Sequence, residues 1–163
     1  MTDNRRADRI AIFVDVQNIY YTCRQAYGRQ FNYRKLWQQI SREGDIVTAF
    51  AYAIDRGDEG QRKFQNALRQ IGFEVRLKPY IQRSDGSAKG DWDVGITIDL
   101  LETAPMVDRV ILLSGDGDFD LLLKKVRDKY GVFAEAYGVP ALTANSLIDA
   151  ASFFNAIDEK LLL

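Results

Sequence analysis

The sequence predicts an α/β fold, a three-layer sandwich with a mostly parallel central sheet and helices on both faces. Two observations predict it. Five short runs rich in β-branched and aromatic residues alternate with stretches of helical periodicity. The chain has 163 residues, 47% of them hydrophobic, which suits one sizeable core and is too apolar for disorder. No internal repeat, low-complexity tract or Pro/Gly-rich linker divides it, and only three prolines occur. Residues 1–163 therefore read as a single domain, with 1–8 an N-terminal tail and 152–163 a C-terminal edge element.

The elements follow in order. Residues 10–16 (IAIFVDV) form the first strand, and weaker helical patterns cover 19–26 and 33–42. A second strand spans 46–54. In 60–71, Phe64, Ala67, Leu68 and Ile71 fall at i, i+3, i+4, i+7, the spacing of one buried helix face, and Gly72 is the expected stop. A third strand occupies 73–77. The polar run 82–90 (QRSDGSAKG) reads as a mobile loop, and 94–103 as a helix. The fourth strand is 110–113. Phe119, Leu122, Leu123, Val126 and Tyr130 mark the next helix, stopped by Gly131. Residues 132–136 make the fifth strand and 143–150 a last helix. The C-terminal stretch adds a short sixth strand or edge element. Its apolar end, 161–163, is expected to dock on the body or on a second copy, which leaves a homodimer open.

Composition excludes several chemistries. With 22 basic and 23 acidic side chains the net charge is −1, so a polyanion would have to be held by a local patch. There is no histidine, which removes His bases, His-activated nucleophiles and His metal ligands. The single cysteine, Cys23, permits no internal disulfide or Cys-rich zinc site and is expected to be a small buried residue. No stretch approaches the ~20 apolar residues of a membrane span, and no signal-peptide core follows MTDNRRADR. The expected compartment is the reducing cytoplasm, with no membrane contact.

The chemistry is expected where a parallel sheet reverses its strand order, beyond the carboxyl ends of the strands. The first strand delivers Asp15 there. The fourth runs into SGDGDFD (114–120), delivering Ser114, Asp116, Asp118 and Asp120. A third cluster, KGDWDVGITIDLL (89–101), holds Asp91, Asp93 and Asp99, with Asp93 at the first turn of a helix and Asp99 well around from it. Any one Asp also suits helix capping: Asp116 or Asp118 before Phe119, or Asp93 before Val94. As a set they repel unless something compensates, and residues 114–120 contain no basic partner. A divalent cation is the simpler compensation. Oxygen ligands without His or Cys suit Mg²⁺ or Mn²⁺. Such an ion can acidify a water and polarise a phosphoryl group, making up for the missing histidine.

Charge is also segregated along the chain. Seven bases (Arg62, Lys63, Arg69, Arg76, Lys78, Arg83 and Lys89) face two acids in 61–89, whereas 91–120 holds eight acids and only Arg109 as a base. Arg76, Lys78, Arg83 and Lys89 are candidate phosphate contacts, or else solvated surface charge. Tyr20, Tyr21, Tyr80 and Trp92 lie near the same loops and could stack on unpaired bases. There is no G-x-x-x-x-G-K-[ST] loop, no G-x-G-x-x-G after the first strand, and no D-x-D in its turn, so kinase, nucleotide-hydrolase and haloacid-dehalogenase readings find no support.

Three phrases, in order, carry a family resemblance: FVDVQNIY, KGDWDVGITIDLL and LLSGDGDFDLLLKKV. Over residues 9–151 the chain resembles the NYN-domain family, in its bacterial LabA-like branch. The resemblance implies a PIN-like nuclease fold and metal-dependent cleavage of RNA. It implies that Asp15, Asp93, Asp116 and Asp118 are catalytic metal ligands, and that Asn18 and Ser114 contact substrate or line the pocket. Asp99 matches a second acid of the middle helix. Many relatives have one residue between K-G and D-V; here there are two, Asp91 and Trp92, so Asp91 competes for the role of Asp93. The expected function is a Mg²⁺- or Mn²⁺-dependent endoribonuclease acting on single-stranded RNA. The alternatives are a non-catalytic RNA- or nucleotide-binding regulatory module using the same pocket, and a small-molecule phosphohydrolase.

Overall fold

A computed structural model describes residues 7–79, 81–82, 88–89 and 91–163, with backbone only for 81–82 and 88–89. Strand β1 (Arg9–Asp15) leads into helices α1 (Val16–Tyr27) and α2 (Tyr33–Ser41). Then come β2 (Asp45–Asp55), α3 (Glu59–Ile71) and β3 (Glu74–Pro79), and a two-residue antiparallel ladder of β4 (Ile81–Gln82) with β5 (Ala88–Lys89). The chain continues through α4 (Asp93–Thr103), β6 (Arg109–Leu113), α5 (Asp120–Tyr130), β7 (Phe133–Gly138), α6 (Asn145–Ala150) and β8 (Phe153–Ala156).

The large sheet has the order β3-β2-β1-β6-β7-β8 and every pairing in it is parallel. Strand order therefore reverses between β1 and β6, where two crossovers leave in opposite directions and open a crevice at the carboxyl edge. The short sixth strand expected near the C-terminus is β8, on the sheet's β7 edge. The β4–β5 ladder, which sequence periodicity did not foresee, closes the ends of the polar run. Residues 83–87 and 90 lie outside the described residues, and with them the expectation of mobility and the candidate Arg83.

Alternation along the strands feeds two cores. Ile10, Ile12 and Val14 pack with Ile19, Leu36, Ile40 and Leu68 on the face covered by α1, α2 and α3. Ala11 and Phe13 pack with Ile96, Leu100, Leu123 and Val126 on the face covered by α4 and α5. The expected stops are found: Gly72 and Gly131 close α3 and α5 at φ 138° and 64°. Leu161 and Leu162 are buried against the body, where the Leu163 N–H donates to the Gln30 carbonyl at 2.8 Å. Cys23 is buried as expected, and burial pushes its thiol up to about 11.

One helix face departs from the sequence pattern. On α3, Leu68 is buried, but Ala67 is exposed and Phe64 is 36% exposed, while Gln65 is 5% exposed. The helix is rotated so that an amide, not the phenyl ring, faces inward. The reason is tertiary: Tyr33, from α2, meets Phe64 at a ring separation of 5.8 Å over the opening that Gln65 lines.

Candidate active site

Register builds the site. β1 pairs with β6 up to Val14 opposite Leu113, so Asp15 and Ser114 are the next residues out of the sheet. Asp15 ends β1 and N-caps α1: its Oδ1 accepts from the Asn18 N–H at 3.4 Å, and its Oδ2 accepts from the Ser114 hydroxyl at 3.2 Å. Both carboxylate oxygens are thereby oriented. Asn18 does a second task, since its Oδ1 accepts from the Gly115 N–H at 2.9 Å and ties the loop after β6 to the start of α1.

That loop is also pressed from behind. A Cβ on Gly115 would lie 2.7 Å from the Leu142 carbonyl oxygen and 3.1 Å from Thr143 Oγ1. Only glycine lets the chain pass so close. Fully buried Ser114 accepts at Oγ from the Asp116 N–H at 3.2 Å, and Asp116 caps the following 3₁₀ turn, Gly117–Phe119, by accepting from the Asp118 N–H at 2.9 Å. Asp116 thus caps the 3₁₀ turn and not α5, which starts at Asp120 without a side-chain cap, and the capping bond aims the carboxylate.

The third part arrives from α4. Asp93 is its first residue rather than the cap before Val94, and the Asp93 N–H donates to Asp91 Oδ1 at 3.2 Å. Trp92 anchors this corner, donating from Nε1 to the Ala53 carbonyl at 2.9 Å and lying 5.2 Å from the Tyr52 ring. The indole is thus engaged in packing. Lys78 sits over it at 4.5 Å and donates to the Asp91 carbonyl at 3.1 Å, which puts one candidate phosphate contact beside the acidic corner.

Carboxylate oxygens of Asp93, Asp116 and Asp118 lie within 4.8 Å of one another. Asp15 stands next to them: its charge and that of Asp91 act on Asp93, and Asp116 acts on both. Burial pushes Asp15 up to about 6, against the lowering effect of its two hydrogen bonds, and Asp116 and Asp91 add to the rise. Burial and the neighbouring Asp116 push Asp93 up to about 7, with Asp91 and Asp15 contributing. Among the described residues, no lysine or arginine forms an ion pair with any of these five acids. The donor set fits a hard divalent cation. All donors are oxygens, those of Asp93, Asp116 and Asp118 are close enough to converge on one ion, and among the described residues no ion pair neutralises them.

Other candidates lie elsewhere. Asp99 accepts from the Tyr52 hydroxyl at 2.7 Å and pairs with Arg76 at 3.1 Å. Arg76 also meets Glu74 at 3.2 Å and lies 4.2 Å from the centre of the Phe50 ring. This guanidinium is held within the sheet's α4 face. Asp120 heads α5 and accepts from the Leu121 N–H. The side chain of Lys89 lies outside the described residues.

Comparison with known proteins gives the family and the fold. The chain belongs to the NYN domain family, whose profile matches residues 9–158. It is LabA-like: the low amplitude and bright protein LabA of Synechococcus elongatus is 33% identical over 132 residues, covering 76% of this chain and 70% of that protein. A crystal structure of a protein of unknown function from Vibrio parahaemolyticus is 56% identical, covers all of both chains (100% each) and superposes with a TM-score of 0.93. The α/β sandwich is consistent with a PIN-like fold. Among the described residues no helix is long and apolar enough to cross a membrane.

Proposed function

We propose that the chain is a metal-dependent endoribonuclease that cleaves single-stranded RNA at the pocket of Asp15, Asp93, Asp116 and Asp118, with Mg²⁺ or Mn²⁺ as cofactor. One observation carries the reading: three carboxylates from α4 and the loop after β6 converge within 4.8 Å, beside Asp15, without an ion pair among the described residues. Family membership supports the same reaction class. A divalent ion held there would supply neutralisation of the scissile phosphate and acidification of the attacking water. The chain's own residues do the positioning. Ser114 and the Asn18 N–H hold Asp15, the Asp118 N–H holds Asp116, and Asp91 fixes the first turn of α4 so that Asp93 faces them. Lys78, at the rim, offers positive charge to a phosphate of the strand.

The test is cleavage of a labelled single-stranded RNA with Mn²⁺, with and without chelator, beside Asp116→Asn. Turnover should vanish with chelator and fall at least ~10²-fold in the variant. Cleavage untouched by both would remove the pocket from the reaction. Tight RNA binding with no turnover under any divalent ion would instead select the regulatory-module reading.

A further inference from the structure

Beside the acidic pocket, on the face covered by α1 and α3, lies a cleft of about 640 Å³. It begins at Val16 and Gln17, the residues directly after Asp15, and reaches Ala53 and Ile54 at the carboxyl end of β2. Its size suits a small ligand or one unit of a larger one.

Two polar groups in it are unexplained by the fold. Gln65 is 5% exposed and Tyr33 7% exposed, both line the cleft, and neither side chain has a hydrogen-bond partner among the described residues. No fully buried side-chain N or O among the described residues lacks a partner. The Gln65 amide and the Tyr33 hydroxyl must therefore open onto the cleft itself. Water entering the cleft can reach these groups, and a ligand seated there can take over their bonds.

The surroundings indicate the ligand. Tyr20 and Tyr21, 44% and 49% exposed, stand at the rim with rings 5.3 Å apart. Arg24 donates to the Tyr20 hydroxyl at 2.8 Å and braces it. Exposed tyrosines provide stacking faces, an amide presents the donor and acceptor that match a base edge, and arginine favours a nearby phosphate. Val16 and Gln17 line the cleft directly after Asp15, so a ligand in it is neighbour to the acidic pocket.

We infer that this cleft receives one unpaired nucleobase of the bound RNA strand, with Gln65 and Tyr33 hydrogen-bonding its edge and Tyr20 or Tyr21 stacking at the entrance. The inference rests on the ribonuclease reading for its strand, but not for its binding chemistry. The strand would pass from the acidic pocket over the start of α1, and the seated base would set where the cut falls.

The experiment has two arms. In the first, wild-type protein, Gln65→Met and Tyr20→Ala are titrated without divalent ion with the four ribonucleoside monophosphates and with short homopolymeric oligoribonucleotides, and thermal unfolding is recorded. In the second, cut positions on a mixed-sequence RNA are mapped with Mn²⁺. We expect one base to bind at least fivefold better than the others, oligonucleotides to bind better than monophosphates, and cuts to keep a constant spacing from that base. Gln65→Met should weaken binding of that base about tenfold and flatten the cut pattern, without lowering Tm, because it removes an unpartnered amide. Tyr20→Ala should weaken all bases together. Selective binding with no RNA cleavage would leave the cleft standing and remove the nuclease reading. Metal-dependent cleavage with no nucleotide binding, and a cut pattern indifferent to both variants, would overturn the cleft and leave the nuclease. Equal affinity for monophosphate and oligonucleotide would overturn the strand in favour of a free nucleotide.

Discussion

Asp15 and Asp93 carry an electrostatic load that the fold alone does not relieve. Both carboxyls are raised from the ordinary value of 3.8, to about 6 and about 7. The folded protein therefore keeps these protons at pH values where the unfolded chain has lost them. By linkage, stability from this pair is fully present below about pH 4 and is lost as pH rises through 6 and 7. Asp93→Asn should thus raise the Tm of the metal-free protein at pH 7.5, by about 2–4 °C after allowing for solvent screening, while abolishing cleavage. Calorimetry at pH 4.5 and 7.5 checks the sign, since the gain should shrink at the lower pH. Added Mn²⁺ should stabilise the wild type and not the variant. Its affinity should rise about tenfold between pH 6 and pH 8, because binding displaces protons. A pH-independent affinity by titration calorimetry would contradict the proposed ligands.

The elements that meet at the site are held by backbone geometry more than by side-chain packing. The loop after β6 is gripped between Asn18 and the 3₁₀ turn Pro140–Leu142 with its continuation at Thr143. Gly115→Ala should push it off the Leu142 carbonyl, destabilising by about 2 kcal/mol and weakening metal binding together. Asn18→Ala leaves the Gly115 N–H without its acceptor and should cost about 1–2 kcal/mol by chemical denaturation, with reduced Mn²⁺ affinity. This element scale is also where pattern reading was weakest. Arg76 looked equivalent to the other bases of its stretch, yet it pairs with Asp99, which the helix position already set apart from the acidic cluster and which also accepts from Tyr52. Trp92 looked like a stacking platform and is a corner post. Gln65 had no signal at all, since an amide on an otherwise amphipathic helix reads as surface. Each outcome depends on which neighbour a helix face meets, and that neighbour comes from a distant part of the chain.

Across the whole molecule, the acidic cluster and the buried ion pair lie at opposite ends of the strands. The acids gather at the carboxyl ends of β1 and β6. Near the amino end of β6, Arg109 is paired with Glu135 of β7 and, at 3.7 Å, with Glu43, all away from the pocket by roughly 13 Å of strand between Arg109 and Leu113. Glu135→Ala would leave Arg109 largely buried with a more exposed partner, and should cost about 3 kcal/mol in denaturant unfolding while Mn²⁺ affinity stays at the wild-type level. Loss of metal binding in that variant would mean that the two edges are coupled. Alternating strands and helices, two strand ends rich in aspartate, and the absence of histidine and cysteine ligands were set by local residue choice. From these the chain by itself determined an α/β sandwich, the edge at which the acids gather and a donor set made of oxygens alone. Only the tertiary structure decided which acids converge, which charges neutralise each other and that a cleft with an unpartnered amide opens beside them. Periodicity and turn chemistry act over a few residues, whereas strand order and helix rotation are settled by burial between segments tens of residues apart.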